Sequence, residues 1–255
     1  MSLRPRTPDP ERVAKLEELE IHHGGHRSFA QGHCALELVA WIAHEKHSDK
    51  PACCSLLIAN FVRRWNDRLP DNASRAKLLR PLLVAMVGTA GSTALELRRA
   101  YALIDWMVRV SLPTWLDLAG LTVRAAELRA LPEVVDMVTA EAAGVVVRQA
   151  RQDARAASAA AYDAVYAAVY AAASAAASAA AYDAVYAAAY DAASAAAYDA
   201  VSAAAYDAVY AAAYDAVYDA VKTKLSATTE VLQLSAQALV LRLCEMRDLE
   251  PGVGS

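Results

Sequence analysis

Residues 157–220 are sixteen consecutive tetrads made only of Ala, Val, Tyr, Ser and Asp. The fourth position is Ala every time, the first is Ala or Val, the second Tyr or Ser, and the third Ala or Asp. Eleven of the twelve Tyr and seven Asp fall here, without a single Lys, Arg, Gly or Pro. Ala is the strongest helix former because it fixes no side-chain rotamer, and nothing in the run breaks a helix. Unbroken, it would span roughly 96 Å at 1.5 Å per residue. The period of four limits what such a helix can pack against. Four residues turn about 400°, so the Tyr stripe advances roughly 40° per tetrad and circles the helix about every nine tetrads. A heptad seam drifts far less. A single long helix of this kind therefore has no fixed apolar face, whereas shorter pieces would each show a local Tyr edge and an Ala edge. Tyr206, Tyr210, Tyr214 and Tyr218 are spaced i, i+4 and would be surface neighbours. Repetition this regular is also what expansion of a twelve-nucleotide unit produces, with helix propensity merely tolerated.

The repeat distorts the composition of the chain. Hydrophobic residues reach 57 %, but Ala and Tyr of the repeat inflate that figure, so it overstates the core. The net charge of −4 comes from the seven repeat Asp; outside the repeat there are 22 acids against 25 bases. Neither part is basic enough to predict nucleic-acid binding. Asp recurs too often in the repeat for an apolar membrane span of about 20 residues. The polar, Pro-rich start has no apolar stretch of the kind a secretory signal carries. Of the four cysteines, Cys53 and Cys54 are vicinal, a poor arrangement for a disulfide framework, so reduced cytoplasmic thiols are expected.

Before the repeat the chain reads as a series of short helices. Residues 1–10, with Pro5, Pro8 and Pro10, are expected to be a disordered lead. Val13, Leu16 and Leu19 give helical spacing over 11–20, and His22-His23-Gly24-Gly25-His26 breaks it. Helices are predicted over 34–46 and 52–69, the second with a charged end at Arg63-Arg64-Trp65-Asn66-Asp67-Arg68. Asp71 or Asn72 can cap the next, in which Pro81 predicts a kink or a split. Thr93-Ala94-Leu95-Glu96 has capping-box spacing ahead of a helix to about Ser111. Short helices follow from Pro113 and over 122–130, and Pro132 is expected to start a last one, interrupted at Gly144. After the repeat, 225–247 is Leu-rich and amphipathic, and Pro251-Gly252 closes off any continuation. No stretch alternates as a strand would.

These residues support a comparison. His33-Cys34-Ala35-Leu36-Glu37-Leu38-Val39-Ala40-Trp41-Ile42-Ala43, then His47-Ser48-Asp49-Lys50-Pro51-Ala52-Cys53, Phe61, Trp65-Asn66-Asp67, Val87-Gly88-Thr89 and Trp115-Leu116-Asp117-Leu118-Ala119-Gly120-Leu121 stand out. Over residues 26–135 they resemble a group of uncharacterised actinobacterial and actinophage proteins, many with an alanine-rich tail bearing an aromatic every few residues. The resemblance implies no activity and transfers no functional residue. A looser likeness, confined to the repeat, is to Ala-rich tails of immunity proteins in bacterial toxin systems. It implies a partner-binding inhibitor.

The chemistry-bearing residues crowd together. All six His lie between 22 and 47, with Cys34, Cys53 and Cys54 adjoining. On one helix, Glu37 and His44 are seven apart and share a face, with His47 near it at the helix end. Cys53 or Cys54 would reach back across the 47–51 loop. Glu37, His44, His47 and Cys53 are therefore the candidate metal ligands, and a mixed N, S and O set suits tetrahedral zinc. Their spacing matches none of the established zinc patterns. The competing reading is ordinary: His44 and His47 complement a helix C-terminus, and the cysteines are small buried residues. A nucleophilic set of Cys34, His47 and Asp49, and an anion site at Arg63, Arg64, Trp65 and Arg68, are weaker combinations. Phosphate-binding loops and hydrolase or metalloprotease motifs are absent.

The sequence thus predicts an all-α protein: a bundle-like N-terminal helical domain over 11–156, the tetrad repeat over 157–220 as one or more helices, and a C-terminal amphipathic helix and tail over 221–255. The expected function is non-enzymatic, structural or protein-binding, with the repeat mediating self-association as a homo-oligomer or holding a protein partner. The alternatives are a zinc-binding helical domain, with hydrolysis as its activity, and an immunity-type inhibitor of a toxin. No nucleic acid and no membrane partner are expected, and the cytoplasm is the expected location.

Overall fold

The computed structural model describes residues 7–154 and 215–248. The tetrad repeat as far as Tyr214, the boundary expected at 156 and most of the lead lie outside those residues. The protein is all-α, with no strand among the described residues. The chain divides into two compact units, Met1–Arg99 together with Gln237–Ser255, and Ala100–Ala236.

In the first unit the order of helices follows the caps and breakers. α1 (Pro10–Ala14) starts on Asp9, whose carboxylate accepts from the amides of Glu11 and Arg12, with Pro10 in the first turn. The helix expected to continue to residue 20 stops there, and a 3₁₀ turn (Leu16–Glu18) follows. α2 (Ala35–Ile42) is buried on almost every face, as an all-round apolar sequence requires. It is shorter than the predicted 34–46 because His44 takes a positive φ of 54° and ends the helix. α3 (Leu56–Arg68) begins four residues later than predicted, at the Ser55 cap, whose hydroxyl accepts from Ile58 N at 3.3 Å. α4 (Asn72–Leu79) is capped by Asp71 through Ser74 N at 2.7 Å. Pro81 splits the next stretch as predicted: a 3₁₀ turn (Arg80–Leu82) leads into α5 (Leu83–Met86).

α2 packs on α3 and α5. Leu36, Leu38, Ile42, Ile58, Leu79, Leu82, Leu83 and Met86 are fully buried, each worth about 1.5–3 kcal/mol of transfer free energy. α6 (Thr93–Trp106) is capped by Ser92, whose hydroxyl accepts from Leu95 N at 3.2 Å. Glu96, expected to close a capping box, turns instead to Ser55 Oγ at 2.7 Å and Leu57 N at 3.1 Å, and so caps α3. The end of the C-terminal helix completes this unit: Val240, Leu243 and Cys244 are buried, and Gln237 Nε2 donates to Leu78 O at 2.8 Å. Arg99, 1 % exposed, donates to the carbonyls of Thr89, Leu243 and Met246 and to Glu96. A fixed cation on the last carbonyls of a helix is favourable twice, through the hydrogen bonds and through the helix dipole.

In the second unit α6 passes into a π-helical turn (Met107–Ser111), followed by α7 (Leu112–Leu118) and α8 (Thr122–Arg129). Residues 132–135 form no regular element, and the helix expected from Pro132 begins at 137 instead. Asp136 caps this helix, α9 (137–154), by accepting from Thr139 N at 2.8 Å. α9 runs through Gly144 without a break. Two apolar clusters hold the unit: Ile104, Val134, Ala140 and Ala143, and Leu116, Ala125, Leu128, Val147 and Ala150. Buried Asp105 accepts from both Nε and Nη2 of Arg109 (2.6 and 2.9 Å) and from Val134 N at 2.9 Å, so it pins the segment ahead of α9. α10 (Asp215–Glu245) contributes Ser235, whose hydroxyl accepts from Trp106 Nε1 at 2.7 Å.

Candidate functional site

The His-rich loop before α2 is folded tightly by the backbone and by the end of α3. His22 N donates to His33 O at 2.9 Å, which closes residues 22–33 into a compact loop. Asn66, fully buried, donates from Nδ2 to His22 O at 2.9 Å and accepts from Ala35 N at 3.3 Å. Asp67 accepts from Gly24 N at 2.9 Å. Arg75, also buried, donates from Nε to Asn66 O at 2.8 Å. The Asn66-Asp67 pair, which reads in sequence as part of a solvated charged helix end, thus clamps the loop onto α2.

Glu37 is the hub. It sits in the first turn of α2 and its carboxylate is almost wholly buried. Oε1 accepts from His26 N at 2.6 Å and lies 3.3 Å from His47 Nε2, and Oε2 accepts from His26 Nδ1 at 2.8 Å and Cys34 N at 2.8 Å. Burial alone would raise its pKa. The amides of His26 and Cys34, the His26 ring and the charge of His47 together outweigh burial and hold it below the usual carboxylate value. His47 Nε2 also lies 3.1 Å from His26 O, so this nitrogen carries the proton.

Aromatic packing fixes the rings. Phe29, in a 3₁₀ turn (Phe29–Gln31), stacks on His33 with centroids 4.5 Å apart and contacts Trp41 at 5.1 Å and, edge-on, His47 at 6.4 Å. Arg12 lies over Trp41 at 5.3 Å. The His33 ring is buried, and among the described residues neither of its nitrogens has a hydrogen-bond partner. Burial pushes its pKa below the usual histidine value; the Phe29 carbonyl opposes that shift without reaching hydrogen-bonding geometry.

Of the four candidate metal ligands, the structure brings Glu37 and His47 together and adds His26 to them. His44 instead faces Asp9, to which it is hydrogen-bonded. Its departure follows from the early end of α2, which removes the seven-residue spacing from one helical face. Cys53 is buried beside Glu45, and its carbonyl accepts from Ala90 N at 3.0 Å. Among the described residues no group of three or more His, Cys, Asp or Glu could hold a metal ion.

The other combinations have structural occupations. Arg63 engages Asp49, with Nε 3.2 Å from its carbonyl and 3.2 Å from Oδ2, and so anchors the 47–51 loop. Trp65 is buried against Phe61. Burial raises the Cys34 thiol to about 12, which leaves it protonated and poorly nucleophilic at neutral pH. Cys53 is raised to about 11 and Cys244 to about 12, and Cys54 is raised as well, each mainly by burial. All four cysteines are free.

Sequence reasoning missed His26 as the partner of Glu37. The density of His was its only signal, since residues joined by a loop share no helical period. Compared with known proteins, the chain matches no family model, no curated protein and no solved structure. No helix among the described residues is long and apolar enough to cross a membrane.

Proposed function

We propose that this is a non-enzymatic structural or interaction protein, in which an N-terminal bundle-like domain carries the Ala/Tyr/Asp repeat and a closing amphipathic helix. Copies of the chain associate through the helices on either side of the repeat. One observation carries this reading. On α9, Val138, Ala142 and Val145 are all exposed, with Val138 at 74 %. On α10, Ala227, Val231 and Leu234 are likewise exposed, with Val231 at 59 %. Both sets follow i, i+4, i+7 spacing, the seam that another helix of the same kind fills knob into hole. A second copy is the occupant we favour because each copy brings both stripes. Exposed apolar rows of this kind mark contact surfaces, whereas scattered single residues do not. The reading includes a cytoplasmic location, which four free buried thiols support.

Native mass spectrometry of the full chain tests it, beside Val138→Lys with Val145→Lys and Val231→Lys with Leu234→Lys. An oligomer that falls to a monomer in either double variant supports the reading. A wild-type monomer at all concentrations sinks it. Deleting 157–220 then separates the stripes from the repeat: loss of assembly with intact stripes assigns it to the repeat.

A further inference from the structure

The backbone closes the loop of residues 22–33 at its mouth, where His22 N donates to His33 O at 2.9 Å. Asn66 Nδ2 to His22 O and Gly24 N to Asp67, each at 2.9 Å, tie the same end to α3. The imidazoles gathered here differ in one respect. His22 Nε2 lies 3.2 Å from Glu20, His26 Nδ1 2.8 Å from Glu37, and His47 Nε2 3.3 Å from Glu37. A proton taken up on any of those three rings meets a carboxylate. His33 is the exception. It is 7 % exposed and stacks on Phe29 with centroids 4.5 Å apart, and among the described residues neither ring nitrogen has a hydrogen-bond partner.

The charged groups around His33 do not make up for that lack. On the loop, the His22 ring is 5.7 Å away, centroid to centroid, and His26 is 5.7 Å from His22; as cations both would repel a charged His33. Burial disfavours the charged ring most, these two histidines add to it, and the Phe29 carbonyl and Glu37 of α2 only oppose it in part. The acids of the other packed segments are engaged: Asp49 with Arg63 at 3.2 Å, and Asp67 with Gly24 N and Asn66 Nδ2. Arg12 lies over Trp41, the ring next to Phe29, and adds a like charge. The Cys34 thiol, raised to about 12, supplies no anion near neutrality. A cation at His33 would therefore be buried unpaired, a cost that turning the ring into water removes.

We propose that residues 22–33 form an acid-triggered flap: proton uptake by the His33 ring turns it out into water, breaks the His22–His33 closure and uncovers Phe29 and Trp41. The ring leaves its stack on Phe29 and its place beside His22, so the closure must yield with it. His26, gripped by Glu37, holds the middle of the loop while the mouth opens. The sign follows from the two forms of His33. The closed loop binds its proton less well than the open one, so opening is rare above the ordinary histidine value of 6.5 and grows as pH falls below it. Glu37, held below the usual carboxylate value, keeps its charge in that window, and α2 keeps its first turn.

Hydrogen exchange of the full chain at pH 7.5 and 5.5, corrected for the intrinsic pH dependence of exchange, tests the flap. Amides of 22–33 should be less protected than the core amides of α2 and α3 at both pH values, the mark of a local opening. Their protection should fall between the two by up to about 10-fold, the limit for one proton taken up by an open form of ordinary histidine value. His33→Phe keeps a ring against Phe29 and removes the proton, so its loop should be equally protected at both pH values. Where that variant does not fold, ring and amide NMR signals of the wild type decide: the His33 ring and the amides of residues 22 and 24 should change together. Loop protection that does not fall with pH overturns the proposal. So does loop protection equal to that of the core, a response that persists in His33→Phe, or a His33 ring that titrates while those amides stay unmoved.

Discussion

Arg99 Nε lies 3.1 Å from the carbonyl oxygen of Leu243, across 144 residues of sequence, and both residues are buried. The same guanidinium reaches Glu96, Thr89 and Met246, so one side chain joins α6, the 86–89 turn and the end of α10. Arg99→Ala should cost about 3–5 kcal/mol, because it strands buried acceptors and an ionised partner. Arg99→Lys should recover only part of that, since an ammonium cannot span the same acceptors. Urea midpoints of the three proteins decide it; equal midpoints would remove the network from any account of stability.

Acid lability should come in two steps. His33 has a folded pKa below the ordinary value of 6.5. The unfolded chain therefore takes up a proton first, and stability falls as pH drops below about 6.5. Glu37 has a folded pKa below the ordinary 4.5, so its contribution is full above 4.5 and is lost as pH falls through the lowered value. Thermal midpoints across pH 8 to 3 should show both falls. Glu37→Gln should flatten the lower one and cost about 1–3 kcal/mol at pH 7, by giving up charged hydrogen bonds.

Two glycines of the His loop should respond differently to alanine. Gly32→Ala drives a Cβ into the His22 and His26 rings at a backbone angle L-residues avoid. Gly24→Ala, at φ of 76°, meets nothing within 4 Å. The second should cost about 1–2 kcal/mol of backbone strain and the first distinctly more. Denaturation of both variants checks the order.

The four thiols should resist alkylation in the folded protein at pH 8. Burial keeps Cys34 and Cys244 at about 12 and Cys53 at about 11, so little thiolate exists. Labelling by iodoacetamide should rise with denaturant, in step with unfolding. Rapid modification of any one thiol in native buffer would contradict this burial.

Asp105→Ala should destabilise the second unit by about 3–5 kcal/mol, by leaving Arg109 without its carboxylate and Val134 N without an acceptor. Asp105→Asn keeps an acceptor for the amide and should lose less. Thermal denaturation followed by Trp fluorescence distinguishes the two.

Local signals carried much of the helix pattern into the structure. Asp71, Pro81 and the absence of strand alternation each act within a few residues, and each has its effect where the sequence places it. Failures came where distant groups compete for the same atom. Glu96 has the spacing to close its own helix end, yet the Ser55 hydroxyl and Leu57 amide claim it. Pro132 is a permissible helix start, but Asp105 captures Val134 N and keeps the segment out of a helix, so Asp136 starts the helix instead. The candidate site shows the same division. Crowding of His and the prominence of Glu37 were legible. The partners were not, because His44 leaves the helical face at a single positive φ and His26 arrives from a loop.

Capture of the last turn of α10 by Arg99 has a consequence for biosynthesis. A ribosome releases residues 1–99 long before it makes Leu243, Met246 and Asp248, and it must translate the whole repeat in between. The first unit therefore leaves the exit tunnel with the Arg99 guanidinium and the cavity for Val240 and Leu243 unfilled. Its folding is completed only after synthesis of the tetrads, over a chain closure whose entropy grows with loop length. Repeat expansion or contraction thus acts on how soon and how readily this unit closes, without altering a single residue inside it. Protease resistance of chains stalled before and after residue 248 would register the step.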